Sequence, residues 1–283
     1  MLAAQARRLA AEGSAWYDRG CYSRAEDYFF QALQTYRLLD DLPGLLKSFN
    51  NLGAAALSQG RNREAGEYLL KAADLSRMLN SPPDRSMALG NLAALAYKTG
   101  RLEEAEVFWR QALMAIEQTP EPGISALHHN NLGMLLRTSG RLEEAEKELA
   151  QGLEAAQKSG RSNLLAGNYL QMGLLLQARD EPEAAERLML LALDLDRETG
   201  NSQGLAVDLE KLGILAQERE RWSLAEERLD RAIFLRAAIG NMEKVRELHG
   251  LLKKNHERGF LPASLAPYDD LLTNEGRESI LCP

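Results

Sequence analysis

Apolar and small residues return every three or four positions along this chain, and the arrangement they make returns every 40. Across residues 124–158, Leu127, Leu132, Met134 and Leu135 recur at helical spacing, as do Leu142, Ala145, Leu149 and Leu153 after them. Gly140 separates the two runs and is the residue best able to take the left-handed conformation that ends a helix. Glu143 and Glu144 open the second run, where carboxylates meet the positive end of a helix dipole. The pattern predicts a helix over 124–139, a tight turn, and a second helix from Leu142 to about Lys158. No stretch alternates with period two, so no strand is predicted.

Taking Gly133 as a phase marker, the same position holds Gly13, Gly53, Ala93, Gly173 and Gly213. Ala145 returns as Ala25, Ala65, Ala105, Ala185 and Ala225, and the turn between the two markers contains Gly20, Gly60, Gly100, Gly140, Asp180 and Glu220. A third small position runs Ala32, Ala72, Ala112, Gly152, Ala192 and Ala232. Six copies at one period predict an all-α solenoid of helix-turn-helix units over residues 1–240, stable only through stacking. Small markers let the two helices of a hairpin approach closely. The bulkier Phe29, Leu69, Trp109, Leu149, Met189 and Leu229, four places after each marker alanine, are expected to fill the space against the next hairpin. Pro43, Pro82, Pro83, Pro120 and Pro122 are expected in loops between repeats, and Pro182 at a helix start. Residues 241–258 predict one more helix, with Val245, Leu248, Leu251 and Leu252 on one side and Lys253, Lys254, Asn255 and Glu257 on the other, a C-terminal capping helix. Residues 259–283, with Pro262 and Pro267 and the apolar clusters Tyr268, Leu271, Leu272 and Ile280, Leu281, read as a flexible tail.

Composition narrows what such an array can do. A net charge of −7 argues against a nucleic-acid or anionic-membrane binder, which would show a basic face. No apolar run is long enough for a transmembrane segment. Cys21 and Cys282 stand far apart without metal-ligand spacing, so neither a disulfide framework nor a zinc site is predicted. The first residues lack the order of a signal peptide, which makes the cytoplasm the default and leaves a trimmed signal or lipid anchor open. His128 and His129 are adjacent and point about 100° apart on a helix, so they read as ordinary helix positions. His249 and His256 have no carboxylate or thiol cluster around them. No catalytic constellation, metal site, phosphate loop or cofactor is predicted.

The motif Asn131, Leu132, Gly133, then Gly140, Arg141, Leu142, Glu143, Glu144, Ala145, then Gly152, Leu153, resembles the tetratricopeptide repeat, and the resemblance covers residues 5–240. The unit here is longer than the family's usual length of about 34 residues. In that respect it is similar to the long-helix repeats of kinesin light chains, cell-polarity adaptors and bacterial peptide-sensing proteins. The resemblance implies a right-handed superhelix whose concave groove binds a protein or peptide partner. It also implies that Asn51, Asn91 and Asn131, two places before the phase marker, hold a ligand's main chain; Gln171 and Lys211 depart from that motif and Ala11 lacks it. An amide suits the task because it offers both donor and acceptor. Asn50 and Asn130 precede two of these residues, and Lys47, Ser58, Met87, Tyr97, Lys98, Leu127, Met134, Arg137 and Gln177 are also expected in the groove. Lys47, Lys98 and Arg137 would make its middle mildly basic and suit an acidic ligand. The reading is a non-enzymatic scaffold or adaptor, with a self-assembling homo-oligomer and a sensor of a small ligand or signalling peptide as alternatives.

Overall fold

Thirteen α-helices and no strand make up the described residues, 1–257 of a computed structural model. They are α1 (Leu2–Asp18), α2 (Tyr22–Leu38), α3 (Leu42–Ser58), α4 (Asn62–Met78), α5 (Pro82–Lys98), α6 (Leu102–Ala115), α7 (Pro122–Thr138), α8 (Leu142–Ser159), α9 (Ser162–Ala178), α10 (Pro182–Thr199), α11 (Ser202–Glu218), α12 (Trp222–Ala238) and α13 (Met242–Glu257). The chain folds as two units, Met1–Leu164 and the residues from Leu165 on. Each is an all-α stack of helical hairpins.

In the first unit, the helix pairs α1/α2, α3/α4, α5/α6 and α7/α8 are each closed by a glycine at positive φ: Gly20, Gly60, Gly100 and Gly140, between 77° and 81°. The residue after each glycine donates its N–H five positions back, as Arg141 does to Leu136 at 2.9 Å, which satisfies a carbonyl that the ending helix leaves open. Asp40, Asn80 and Gly160 take the same left-handed conformation between hairpins. A left-handed stop therefore recurs every twenty residues. Position 120 is the exception, because the ring of Pro120 fixes φ at a negative value. There α6 ends early at Ala115, the Ile116 N–H turns to the Leu113 carbonyl, and the Ser86 hydroxyl donates to the Ala112 carbonyl at 2.7 Å.

The phase-marker glycines hold a close approach. A Cβ built on Gly133 would lie 2.5 Å from Cγ of Leu149, and one on Gly53 would lie 2.5 Å from Cδ2 of Leu69. This corrects the sequence expectation: the bulky residue four places after the marker alanine fills the space over the glycine of its own hairpin. Phe29 does both, packing over Gly13 and into a cluster with Leu52 and Ala55 of the next hairpin. The prolines need a second correction. Pro43, Pro82, Pro83 and Pro122 lie inside the first turns of α3, α5 and α7, where the missing N–H has no helical partner to lose. Helix α7 accordingly starts two residues earlier than the periodicity alone indicates.

In the second unit, Asp180 and Glu220 replace glycine at the left-handed stops with φ of 61° and 58°. Its core joins Leu170, Met189, Leu209, Leu212, Leu229 and Ile233 to Val245, Leu248 and Leu252 of α13. Among the described residues no helix is long and apolar enough to cross a membrane. Cys21 is buried and is not a free thiol, contrary to the sequence expectation; Cys282 lies outside the described residues. So does the tail expected over 259–283.

Candidate functional site

Within the first unit α1, α3, α5 and α7 lie side by side, each against the next. Residues at one phase of the repeat therefore form a column across these helices. Asn51, Asn91 and Asn131 are such a column, each half-buried, and all three line one cavity of about 350 Å³. None of the three amides makes a hydrogen bond to another group among the described residues. Asn50 is buried in the same cavity wall with its Oδ1 unpaired, and Phe29, Met87 and Leu127 supply apolar surface. Tyr17 and Asp18 of α1 close one side, and the Tyr17 hydroxyl shares a 3.0 Å hydrogen bond with Ser58.

Other expected groove residues stand outside that cavity. Asn130 has a buried, unpaired Oδ1; Met134 and Tyr97 are half-buried; and the Tyr97 ring lies 6.0 Å from that of Trp109. Lys47 is exposed, and Lys98 donates its Nζ to the Leu57 carbonyl at 2.6 Å, so part of its hydrogen-bonding capacity is already used. Arg137 is different. Its Nε is buried without a partner, no carboxylate among the described residues faces it, and burial pulls its guanidinium below the usual value while Tyr97 acts in the opposite direction. In the second unit Gln171 has an unpaired Oε1, Gln177 donates to Glu218 at 2.6 Å, and Lys211 is held by Glu210 at 3.0 Å.

Sequence reasoning missed His128. Its imidazole is 1% exposed, sits 3.0 Å from the Ser86 hydroxyl through Nε2, and lines the cavity beside Gly90. A Cβ on Gly90 would lie 2.1 Å from Cε1 of His128, so only glycine leaves room for the ring. Burial pushes the histidine down to about 4, which keeps it neutral at physiological pH. The signal was present as a break in a column, since Gly90 stands where neighbouring repeats carry Asn50 and Asn130. His129 turns away and binds Glu148 at 2.7 Å.

The matching helix of the second unit, α11, carries buried charge. Glu210 meets Arg236 at 3.2 Å, Lys211 at 3.0 Å and Lys244 at 3.4 Å. Asp208 is pushed up to about 8 by burial and by the nearby charge of Asp196, which accepts a hydrogen bond from Asn201 at 2.9 Å. Among the described residues no group of three or more His, Cys, Asp or Glu side chains could hold a metal ion.

Family models of the tetratricopeptide repeat match residues 45–84 and 84–158. No curated protein sequence matches the chain significantly. Among solved structures it is similar to a Rap protein complexed with competence and sporulation factor, with 16% identity over 86% of this chain and 65% of that one, and a TM-score of 0.68. It is also similar to the Rap conjugation gene regulator of plasmid pLS20 in complex with the Phr* peptide (19%, 85% and 64%, 0.67). A third similar structure is aspartyl phosphate phosphatase F of Bacillus subtilis (17%, 82% and 60%, 0.65). The chain thus spans roughly two thirds of the length of these structures, and at such identities the likeness is one of fold. Tetratricopeptide repeats are thus matched over residues 45–158, and the 40-residue hairpins with their left-handed stops continue the same all-α repeat pattern on both sides of that segment.

Proposed function

We propose that the chain is a non-enzymatic adaptor whose first-unit groove holds an extended peptide segment of a partner protein. One observation carries this reading: Asn51, Asn91 and Asn131 line a single cavity, and none of their amides is engaged by another group among the described residues. Three amides at equal intervals can each bond the backbone of one peptide laid across the helices. Arg137, half-buried and without a carboxylate partner among the described residues, offers a point at which an acidic group of the same segment gains a charge-assisted bond. The two Rap structures, described as complexes with a factor and a peptide, favour a related role for this chain, that of a receptor for a short signalling peptide. The phosphatase named among the similar structures makes acyl-phosphate hydrolysis worth assaying, with no release expected.

The test is affinity for a ligand recovered by pull-down with the full chain, measured by calorimetry. One neutral hydrogen bond contributes about 0.5–1.5 kcal/mol net, so changing Asn91→Ala and Asn131→Ala together should weaken binding by about 1–3 kcal/mol. Melting should hardly change, because both amides are solvated when the groove is empty. Equal affinities of the double variant and the parent would move the binding surface elsewhere.

A further inference from the structure

Given that the groove holds a peptide, we propose that it takes one class of segment, a proline-rich stretch in the left-handed polyproline II conformation. The segment crosses α3, α5 and α7 and sets every third residue on Asn51, Asn91 and Asn131 in turn.

The interval between the amides selects the conformation. Helices α3, α5 and α7 lie side by side, and packed helices stand about 8–10 Å apart, so residues at one phase of the repeat follow one another at that distance. A polyproline II chain rises about 3.1 Å per residue and turns once in three, which brings the same edge back to the floor after about 9 Å. Residues i, i+3 and i+6 of the segment therefore present their backbone to the three asparagines in one orientation. A β-strand covers a similar distance in three residues, but its period of two turns residues i and i+3 to opposite faces. An α-helix has its N–H and C=O groups already bonded within itself. Polyproline II leaves them free, and no amide of the three asparagines is engaged among the described residues, so each can donate to the carbonyl and accept from the N–H of one contact residue.

The surroundings of the asparagines select the composition. Met87 and Leu127 stand one helical turn before Asn91 and Asn131, while Ala54 and Ala94 stand one turn after Asn51 and Asn91, and all four are half-buried in the wall of the same cavity. The amide row thus runs between apolar bulk on one side and small residues on the other. None of the residues that α3, α5 and α7 contribute to the cavity carries a formal charge, so a charged side chain laid over the row would find no ion partner on those helices. Proline suits the two positions between contacts. Its ring covers Met87 and Leu127, its missing N–H leaves no donor where the amides do not reach, and its fixed φ lowers the cost of ordering the segment. A contact residue that gives an N–H to an asparagine cannot itself be proline. The pattern that results is X-Pro-Pro-X-Pro-Pro-X, seven residues for three asparagines, and it ends at α1, where Ala11 takes the place of the asparagine.

The experiment measures retention of the labelled full chain by three immobilised pools of seven-residue peptides: X-Pro-Pro-X-Pro-Pro-X, X-Pro-X-Pro-X-Pro-X and a proline-free pool, X being any residue other than proline or cysteine. The parent chain is compared with the Asn91→Ala, Asn131→Ala double variant. The strongest binder of the first pool is then titrated in solution beside a copy whose central X is proline. Expected is retention of the parent by the first pool on the order of tenfold above the other two, with that excess lost in the double variant. The copy keeps the conformation and loses one N–H, so it should bind about two- to tenfold more weakly. Equal or stronger retention by the second or third pool, or a copy that binds as well as its parent peptide, overturns the polyproline II register and leaves the groove reading standing, provided the double variant is retained less than the parent. If no pool retains the parent, or all three retain the double variant equally well, the groove reading fails and the register with it.

Discussion

Helices α7 and α11 occupy the same place in their repeats, 80 residues apart, and treat the same positions in opposite ways. His128 corresponds to Asp208, Asn130 to Glu210 and Asn131 to Lys211. In α7 these groups leave hydrogen-bonding capacity open among the described residues, at Nδ1 of His128, Oδ1 of Asn130 and the whole amide of Asn131. In α11 the charges close on one another, Glu210 with Arg236, Lys211 and Lys244, and Asp208 beside Asp196. The repeat fixes where each side chain stands, while its chemistry decides whether it serves the fold or remains free for a ligand. A position shared by every repeat is thus no guide to role until its partners are known.

The largest expected effect breaks the closed side of this comparison. Arg236→Met leaves the carboxylate of Glu210, 2% exposed, with two lysines in place of three cations. Removing one partner of a buried ion pair costs about 3–5 kcal/mol, and the remaining lysines should hold the loss near the lower end. Asn131→Ala in α7 should cost less than about 0.5 kcal/mol, because that amide holds nothing in the fold. Urea unfolding of the two variants measures the contrast. Similar losses would erase the distinction between the helices.

A smaller effect should be common to both units. Gly133→Val and Gly213→Val each force a side chain into Leu149 or Leu229, whose Cγ atoms stand 2.5 and 2.8 Å from an added Cβ. Overpacking of this kind costs about 1–3 kcal/mol. Comparable drops in the two variants, read by hydrogen exchange in each unit, would show one packing rule under two different surfaces.

That rule was legible in the sequence because it is periodic. The 40-residue interval and the residues at 20, 60, 100, 140, 180 and 220 located the hairpins and their left-handed stops, even where Asp180 and Glu220 replace glycine. Neighbourhoods were less legible. Leu149 was assigned to the next hairpin because spacing along one helix does not say which facing groove receives a side chain. The proline residues were assigned to loops because a first helical turn and a loop tolerate them for the same reason, the lack of an N–H partner. His128 read as an ordinary position because its role depends on Gly90 and Ser86, about 40 residues back and adjacent only once helices stack. The asparagine column was legible as a pattern, whereas Asp18 reaches the same cavity from a helix outside that pattern.

Titration separates the units at up to about 1.4 kcal/mol per pH unit, the limit set by one proton. Asp208 titrates near 8 in the fold and near about 3.9 unfolded, so between these values the folded chain holds the extra proton. Stability of the second unit should fall as pH rises through that window and level off above it. His128 is lowered to about 4 against about 6.5 unfolded, so there the unfolded chain binds more protons. Stability of the first unit should fall as pH drops through that range. Asp208→Asn should flatten the slope between pH 6 and 8 in exchange rates of the second unit alone. An unchanged slope would mean that the two carboxyls do not share a proton.

The smallest effect concerns the turns, where the two units differ only in residue type. Glu220 holds φ at 58°, a conformation that costs a residue with a Cβ about 1–2 kcal/mol, whereas Gly140 at the equivalent turn adopts 77° freely. Both residues are exposed, and a Cβ added at Gly140 would meet nothing within 4 Å, so exchanging them tests the backbone with little interference from packing. Glu220→Gly should stabilise the chain by about 0.5–1 kcal/mol, the relief of strain being partly offset by the greater freedom of glycine in the unfolded state. Gly140→Glu should cost about the same amount. Chemical denaturation of the pair decides the matter. If Glu220→Gly destabilises, the glutamate side chain makes a contact that outweighs the strained backbone, and the turn within the α11/α12 hairpin is held by a side chain where those within the first unit's hairpins, at Gly20, Gly60, Gly100 and Gly140, are held by glycine.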